Sequence, residues 1–127
     1  MCAPKNAEPV DTLRAFYASA TAGDRAKIIG AFDSEGYLFD VGERYTPETI
    51  ADVILKIEAA GTKPAWNLEE PESHVACDLA WATWTTRGTF TTAGKVEPAT
   101  ELGSAVFVWR DDMWKIRFFH STRAAKV

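Results

Sequence analysis

The stretch DLAWATWTTRGTFTTAGKVEPATELGSAVFVWRDDMWKIRFFHST, Asp78 to Thr122, decides the fold. It reads as three long strands joined by tight turns: Leu79–Thr92, Val96–Arg110 and Met113–Thr122. Two helical segments come before any strand pattern, and a third follows one short strand. Helices and then a long antiparallel meander predict an α+β domain in which one curved sheet wraps around helices. Such a sheet encloses a pocket, so function turns on what that pocket holds.

Upstream, Val10, Leu13, Phe16, Tyr17 and Ala20 recur at helical spacing, with Pro9 in the first turn. Gly23 is a natural stop and Asp24 a cap for the next helix. That second helix carries Ile28, Ile29 and Phe32 on one face and is expected to end near Ser34 to Gly36. Tyr37 to Val41 reads as a short strand. Thr46-Pro47-Glu48 supplies a hydroxyl cap, a first-turn proline and a first-turn carboxylate. It opens a third helix, striped with Ile50, Val53, Ile54 and Ile57, that stops at Gly61. Gly61 to Pro64 reads as a loop, and Trp66 to Cys77 as a strand interrupted at Pro71, the mark of a bulge or an edge position.

Period two sets the strand faces. In the last strand Trp114, Ile116, Phe118 and His120 share the face expected to meet the helices; Lys115, Arg117 and Ser121 share the other. In the first long strand Leu79, Trp81, Thr83 and Thr85 oppose Ala80, Ala82 and Trp84. Neither face is polar enough to be fully wetted, so a second subunit is expected on one of them.

A chain of 127 residues is one domain, long enough to bury roughly two thirds of its unfolded surface. The net charge of −4 and pI near 5.2 argue against a nucleic-acid binder, which needs a concentrated basic face. Lys115, Arg117, Arg123 and Lys126 read as one solvated strand face. Cys2 and Cys77 show no framework spacing, and two unpaired thiols fit a reducing cytoplasm. Met1 to Pro9 lacks the apolar run of a signal peptide, and no stretch approaches the ~20 apolar residues of a membrane span. The expectation is a cytoplasmic protein without membrane or nucleic-acid partners.

Three stretches carry a family resemblance: Phe16-Tyr17 through Ala22-Gly23-Asp24, His74-Val75 through Asp78-Leu79-Ala80-Trp81-Ala82-Thr83, and Arg110-Asp111-Asp112-Met113-Trp114-Lys115-Ile116 through His120-Ser121. Together the chain resembles the nuclear transport factor 2-like superfamily, more narrowly its SnoaL-like domains and the association domain of calcium/calmodulin-dependent protein kinase II. The resemblance spans nearly the whole chain, leaving residues 1–8 as a flexible tail. It implies a cystatin-like cone, three N-terminal helices packed in a strongly curved, mostly antiparallel sheet, with a pocket inside and a homodimer through the sheet. It implies little about function, because this fold hosts isomerases, cyclases, epoxide hydrolases, dehydratases and assembly modules.

Asp40, between apolar neighbours in Phe39-Asp40-Val41-Gly42, is the candidate general base. Its distance from Gly23-Asp24 is similar to that of the base in ketosteroid isomerases of this fold. Where those enzymes carry a helix-one tyrosine this chain places Phe16, with Tyr17 about 100° away. Their second oxyanion donor is replaced by Ser104 or Ala105. An outward-facing or capping role is the bland alternative for Asp40. His120 is the second catalytic candidate, as proton shuttle or orienting group, against a histidine bonded to a buried carbonyl. The kinase association domain has His-Phe-His where this chain has Phe118-Phe119-His120.

Phe16, Tyr17, Tyr37, Trp66, Trp81, Thr83 and Phe118 are the expected ligand contacts, and Tyr45 is a further source of a hydroxyl. Arg87, on one face with Thr83 and Thr85, could meet an anionic ligand inside the cone, against the commoner reading of a strand-end arginine in water. Related epoxide hydrolases use an aspartate–arginine–aspartate set; here only Glu101, if its parity turns inward, would join Asp40. His74 and His120 are the only histidines and have no carboxylate at ligand spacing, so no metal or other cofactor is expected. No nucleophile elbow or phosphate loop occurs. Two classes remain: a pocket for a small hydrophobic or aromatic molecule, with isomerase, cyclase or lyase chemistry, and a non-catalytic homo-oligomeric association module.

Overall fold

Pro9 begins the first helix, α1 (Pro9–Ala22), where the Asp11 carboxylate accepts the Glu8 backbone N–H at 3.3 Å. Gly23 ends it in the left-handed conformation, φ 67°, and its N–H bonds the Ala20 carbonyl. Asp24 then caps α2 (Arg25–Gly30) by accepting the Lys27 N–H at 3.2 Å. These junctions follow the sequence expectation. The end of α2 does not: the helix stops at Gly30, and Phe32 already belongs to β1 (Phe32–Asp40). Phe32 is packed edge-on against Phe16 at 5.5 Å, so tertiary packing overrides the helical spacing.

A short strand absent from the sequence reading, β2 (Glu43–Tyr45), turns back along β1. Thr46 caps α3 (Pro47–Ala59) through the Thr49 N–H at 3.1 Å. The expected loop at Gly61 to Pro64 is instead the start of β3 (Thr62–Ala76), paired from Thr62 onward with β4 (Leu79–Thr92). The bulge is present, between Glu69 and Glu72, with Glu70 at φ 50°. Strands β5 (Lys95–Arg110) and β6 (Met113–Arg123) complete one sheet in the order β2-β1-β6-β5-β4-β3. All pairings are antiparallel except β1 with β6. The helices lie in the concavity of this sheet, and Leu13, Ile28, Phe107, Trp114 and Ile116 fill the core between them.

One irregularity decides the interior. Phe107 pairs with Ile116 and Val106 with Phe118, so Arg117 is an extra residue in β6. The bulge reverses side-chain parity beyond it. Trp114 and Ile116 face inward as expected, but after Arg117 the inward residues are Phe119 and Ser121, both buried. Phe118 and His120 are turned to the outer face, and His120 is exposed. The expected inward set of Trp114, Ile116, Phe118 and His120 is therefore corrected at its second half. Phe119, which that parity assigns to the outer face, is buried inside instead.

Asp33, 3% exposed, pins the bulged segment: it bonds the Arg110 guanidinium at 3.1 Å, with Arg117 at 4.0 Å. Gly36 runs so close to the Ile116 carbonyl that a Cβ there would sit 2.7 Å from its oxygen.

The structure, a computed structural model, describes residues 2–125; Lys126 of the expected basic face lies outside them. Cys2 and Cys77 are joined in a disulfide, which removes the argument for a reducing compartment built on free thiols. Lys5 bonds Asp78 at 2.6 Å, and the Ala7 carbonyl accepts the Trp114 indole N–H at 3.0 Å. No helix among the described residues is long and apolar enough to cross a membrane.

Candidate functional site

Between α1, α3 and the concave sheet lies a cavity of about 270 Å³. Its walls are apolar: Phe16 and Ala20 from α1, Ile50, Val53, Ile54 and Ile57 from α3, and Leu38, Phe90 and Phe119 from the sheet. The helical stripe of α3 read from sequence is thus a cavity wall as well as a core face. Polar groups gather at the sheet: Asp40 from β1, Tyr45 from β2, Trp66 from β3, Glu101 from β5, Ser121 and Arg123 from β6, with Tyr17 reaching in from α1.

Of the sequence candidates, Asp40, Phe16, Tyr17 and Trp66 line this cavity. Tyr17 does so although it lies one helical step from Phe16. Phe16 packs toward Phe32 and Phe119 at 5.5 and 5.3 Å, whereas Tyr17 packs toward Trp66 at 5.6 Å. The interior is wide enough to receive both directions.

The other candidates are on the outer face. His120, Phe118 and Tyr37 are carried there by the β6 bulge and by the pairing of Tyr37 with Phe118. Trp81 and Thr83 alternate with the buried Ala80, Ala82 and Trp84 and so point outward. Trp81, 45% exposed, stacks on His74 at 4.4 Å. Arg87 shares that outward parity and pairs with Glu69 at 3.1 Å, away from any ligand in the cone. An acid–base pair of Asp40 with His120 inside one cavity is excluded by this geometry.

Asp40 is half-buried, and its proton affinity is raised. Burial is the main cause, followed by the nearby Glu101 charge; the Val41 N–H, Arg123 and His120 oppose it. The Tyr17 hydroxyl accepts the Trp84 indole N–H at 3.0 Å, and its own proton has no acceptor among the described residues. Burial holds that proton far above the usual phenol range, opposed by the Trp84 hydrogen bond and aided by Glu101 and Asp40. Tyr17 is therefore a neutral donor beside two carboxylates. Sequence reading missed Ser121, Arg123 and Phe119 as cavity residues and left Glu101 conditional on its parity, which does turn inward. For the three in β6 strand parity was the signal, but it had to be counted from the far side of the bulge.

A folded carboxyl that holds its proton more tightly than the unfolded chain penalises the folded state once ionised. The penalty is complete above the folded midpoint and vanishes as pH falls through 3.8, the ordinary value. Asp40→Asn is thus expected to unfold at the same or a higher temperature than wild type at neutral pH. Calorimetry should show that advantage shrinking in acid; a variant less stable at neutral pH would contradict this account of Asp40.

No protein-family model matches this sequence, and no curated protein does. Solved structures do. A candidate dehydratase of the nuclear transport factor 2-like family from Streptomyces avermitilis superposes with TM-score 0.79 at 17% identity, over 92% of this chain and 94% of that one. The fold is the nuclear transport factor 2-like fold. A candidate calcium/calmodulin-dependent protein kinase II association domain from Xanthomonas campestris gives 0.77 at 20% identity, covering 99% and 96%. A candidate ketosteroid isomerase from Shewanella frigidimarina gives 0.73 at 15%, covering 92% and 96%. The nuclear transport factor 2-like fold thus accounts for the cone and its cavity, and at these identities it assigns no activity.

Proposed function

We propose that the cavity binds a small, largely apolar molecule bearing one hydroxyl or carbonyl group, and that Asp40 moves a proton on it without a cofactor. The observation that carries this reading is the placement of Asp40 and the unpartnered Tyr17 proton at one end of an apolar cavity. Tyr17 would donate to the ligand oxygen, and Asp40 would take a proton from the neighbouring carbon. A raised proton affinity makes a carboxylate a better base at neutral pH. The volume suits a ligand of about one ring, just below the roughly 300–1,000 Å³ usual for small-molecule sites. Similarity to a candidate ketosteroid isomerase and a candidate dehydratase is in keeping with chemistry of the isomerase or lyase kind.

Solvent exchange tests this without a known substrate. Cyclic ketones incubated with the protein in deuterium oxide should gain deuterium beside the carbonyl, as read by mass spectrometry. No uptake above buffer, across ketones shown to bind, would count against the reading.

The outer face supports assembly beside catalysis. His74, Trp81, Val106, Phe118 and Tyr37 stand side by side across five strands, each in register with the next. Such a row fits a second copy of the chain, in keeping with the candidate association domain among the similar structures. Trp81→Arg should convert a dimer to a monomer in light scattering. A wild-type protein that is monomeric at high concentration would refute this assembly.

A further inference from the structure

Both carboxylate oxygens of Glu101 are engaged by side chains of β3 and β6. Its Oε1 accepts the Trp66 indole N–H at 3.3 Å and its Oε2 accepts the Ser121 hydroxyl at 3.2 Å. Ser121 in turn is the β6 partner of Asp40, so the clamp sits between the two carboxylates. A free glutamate would turn its charge to water; this one is kept on the same wall as Asp40.

We propose that Glu101 is the second carboxylate of the site: clamped by Trp66 and Ser121, it strengthens Asp40 as a base and confines ligands to neutral or cationic molecules. The inference rests on the cavity being the acid–base site described above. The charged and titratable groups around Asp40 come from every side. Beside it in β2 are Glu43 and Tyr45; β5 gives Glu101; β6 gives Arg123 and, from the outer face, His120; α1 gives Tyr17. The wall formed by α3 is apolar. Among these groups Glu101 acts on Asp40 more strongly than Arg123 and His120, and in the opposite sense.

The same arrangement bears on ligand charge. An anionic ligand would meet two carboxylates at the polar end. The cation lining the cavity, Arg123, lies over the Phe90 ring at 5.6 Å with its residue exposed to solvent, where its attraction is screened. A phenol, alcohol or ketone of the same shape carries no such penalty.

The test follows the Asp40 carboxyl by carbon-detected NMR titration in wild type, Glu101→Gln and Ser121→Ala, with no substrate needed. The midpoint is expected to fall in Glu101→Gln. It should fall less in Ser121→Ala, which keeps the charge but loses one clamp, and which decides the matter alone if the glutamine variant fails to fold. In parallel, p-cresol and p-toluate are titrated at neutral pH against the Trp66 indole signal. Wild type should favour the neutral phenol by roughly tenfold or more, and Glu101→Gln should narrow that preference several-fold. An Asp40 midpoint that ignores both substitutions, or p-toluate binding wild type as tightly as p-cresol, overturns the proposal. Failure of the broader reading looks different: the midpoint falls as expected, yet Asp40→Asn retains full deuterium exchange.

Discussion

Asp40→Asn is expected to lower turnover by roughly 10²- to 10⁴-fold, the range that a positioned general base contributes. The amide keeps the shape of the carboxylate and removes its basicity. Affinity should change only a few-fold, because the walls that bury the ligand are Phe16, Leu38, Ile54 and Phe119 and are untouched. The effect belongs in kcat, with KM nearly constant, since only the proton-transfer step loses a group. Combined with undiminished stability at neutral pH, this would mark Asp40 as retained for chemistry. A variant with full deuterium exchange would leave the cavity as a binding site only.

Trp114→Ala should cost about 3–5 kcal/mol of stability, as large-to-small changes in a packed core do. Trp114 is 1% exposed and meets Trp109 edge-on at 5.2 Å. Its indole N–H bonds the Ala7 carbonyl at 3.0 Å, and its backbone carbonyl accepts the Thr12 hydroxyl at 2.8 Å. The backbone of this residue thereby ties β6 to α1, and its side chain ties β6 to the segment before that helix. Trp114→Phe should recover part of the loss by refilling the volume while leaving the Ala7 carbonyl without its donor. Urea unfolding measures both; a loss below about 1 kcal/mol for alanine would mean that the site is less tightly packed than described.

The architecture was legible because several independent signals agreed. Gly23 with Asp24 and Thr46 with Pro47 mark element ends by local chemistry that the fold keeps, and the long alternating runs after Asp78 keep their tight turns. Where the reading failed, the deciding force was non-local. Phe32 follows helical spacing but is drawn into a strand beside Ile116, and Thr62 to Pro64 pair with β4 across a hairpin. The Cys2–Cys77 pairing joins residues 75 apart in sequence, which spacing rules do not reveal.

The site was half legible for a sharper reason. Asp40 lies on a strand whose parity is correct, so its inward direction could be read from Leu38 and its neighbours. His120 could not, because one extra residue at Arg117 reverses every side chain after it. Phe118-Phe119 offers two adjacent aromatic residues, and either one satisfies an apolar inner face. Nothing local chooses between them; the register of β6 against β5 does.

The indole N–H spectrum on addition of p-cresol measures the interior directly, since the tryptophans sample both faces of the sheet. Trp66 and Trp84, bonded to Glu101 and Tyr17, should shift with ligand while the outward Trp81 stays fixed. A shift at Trp81 with Trp66 and Trp84 unmoved would place the binding surface outside the cone and contradict the account.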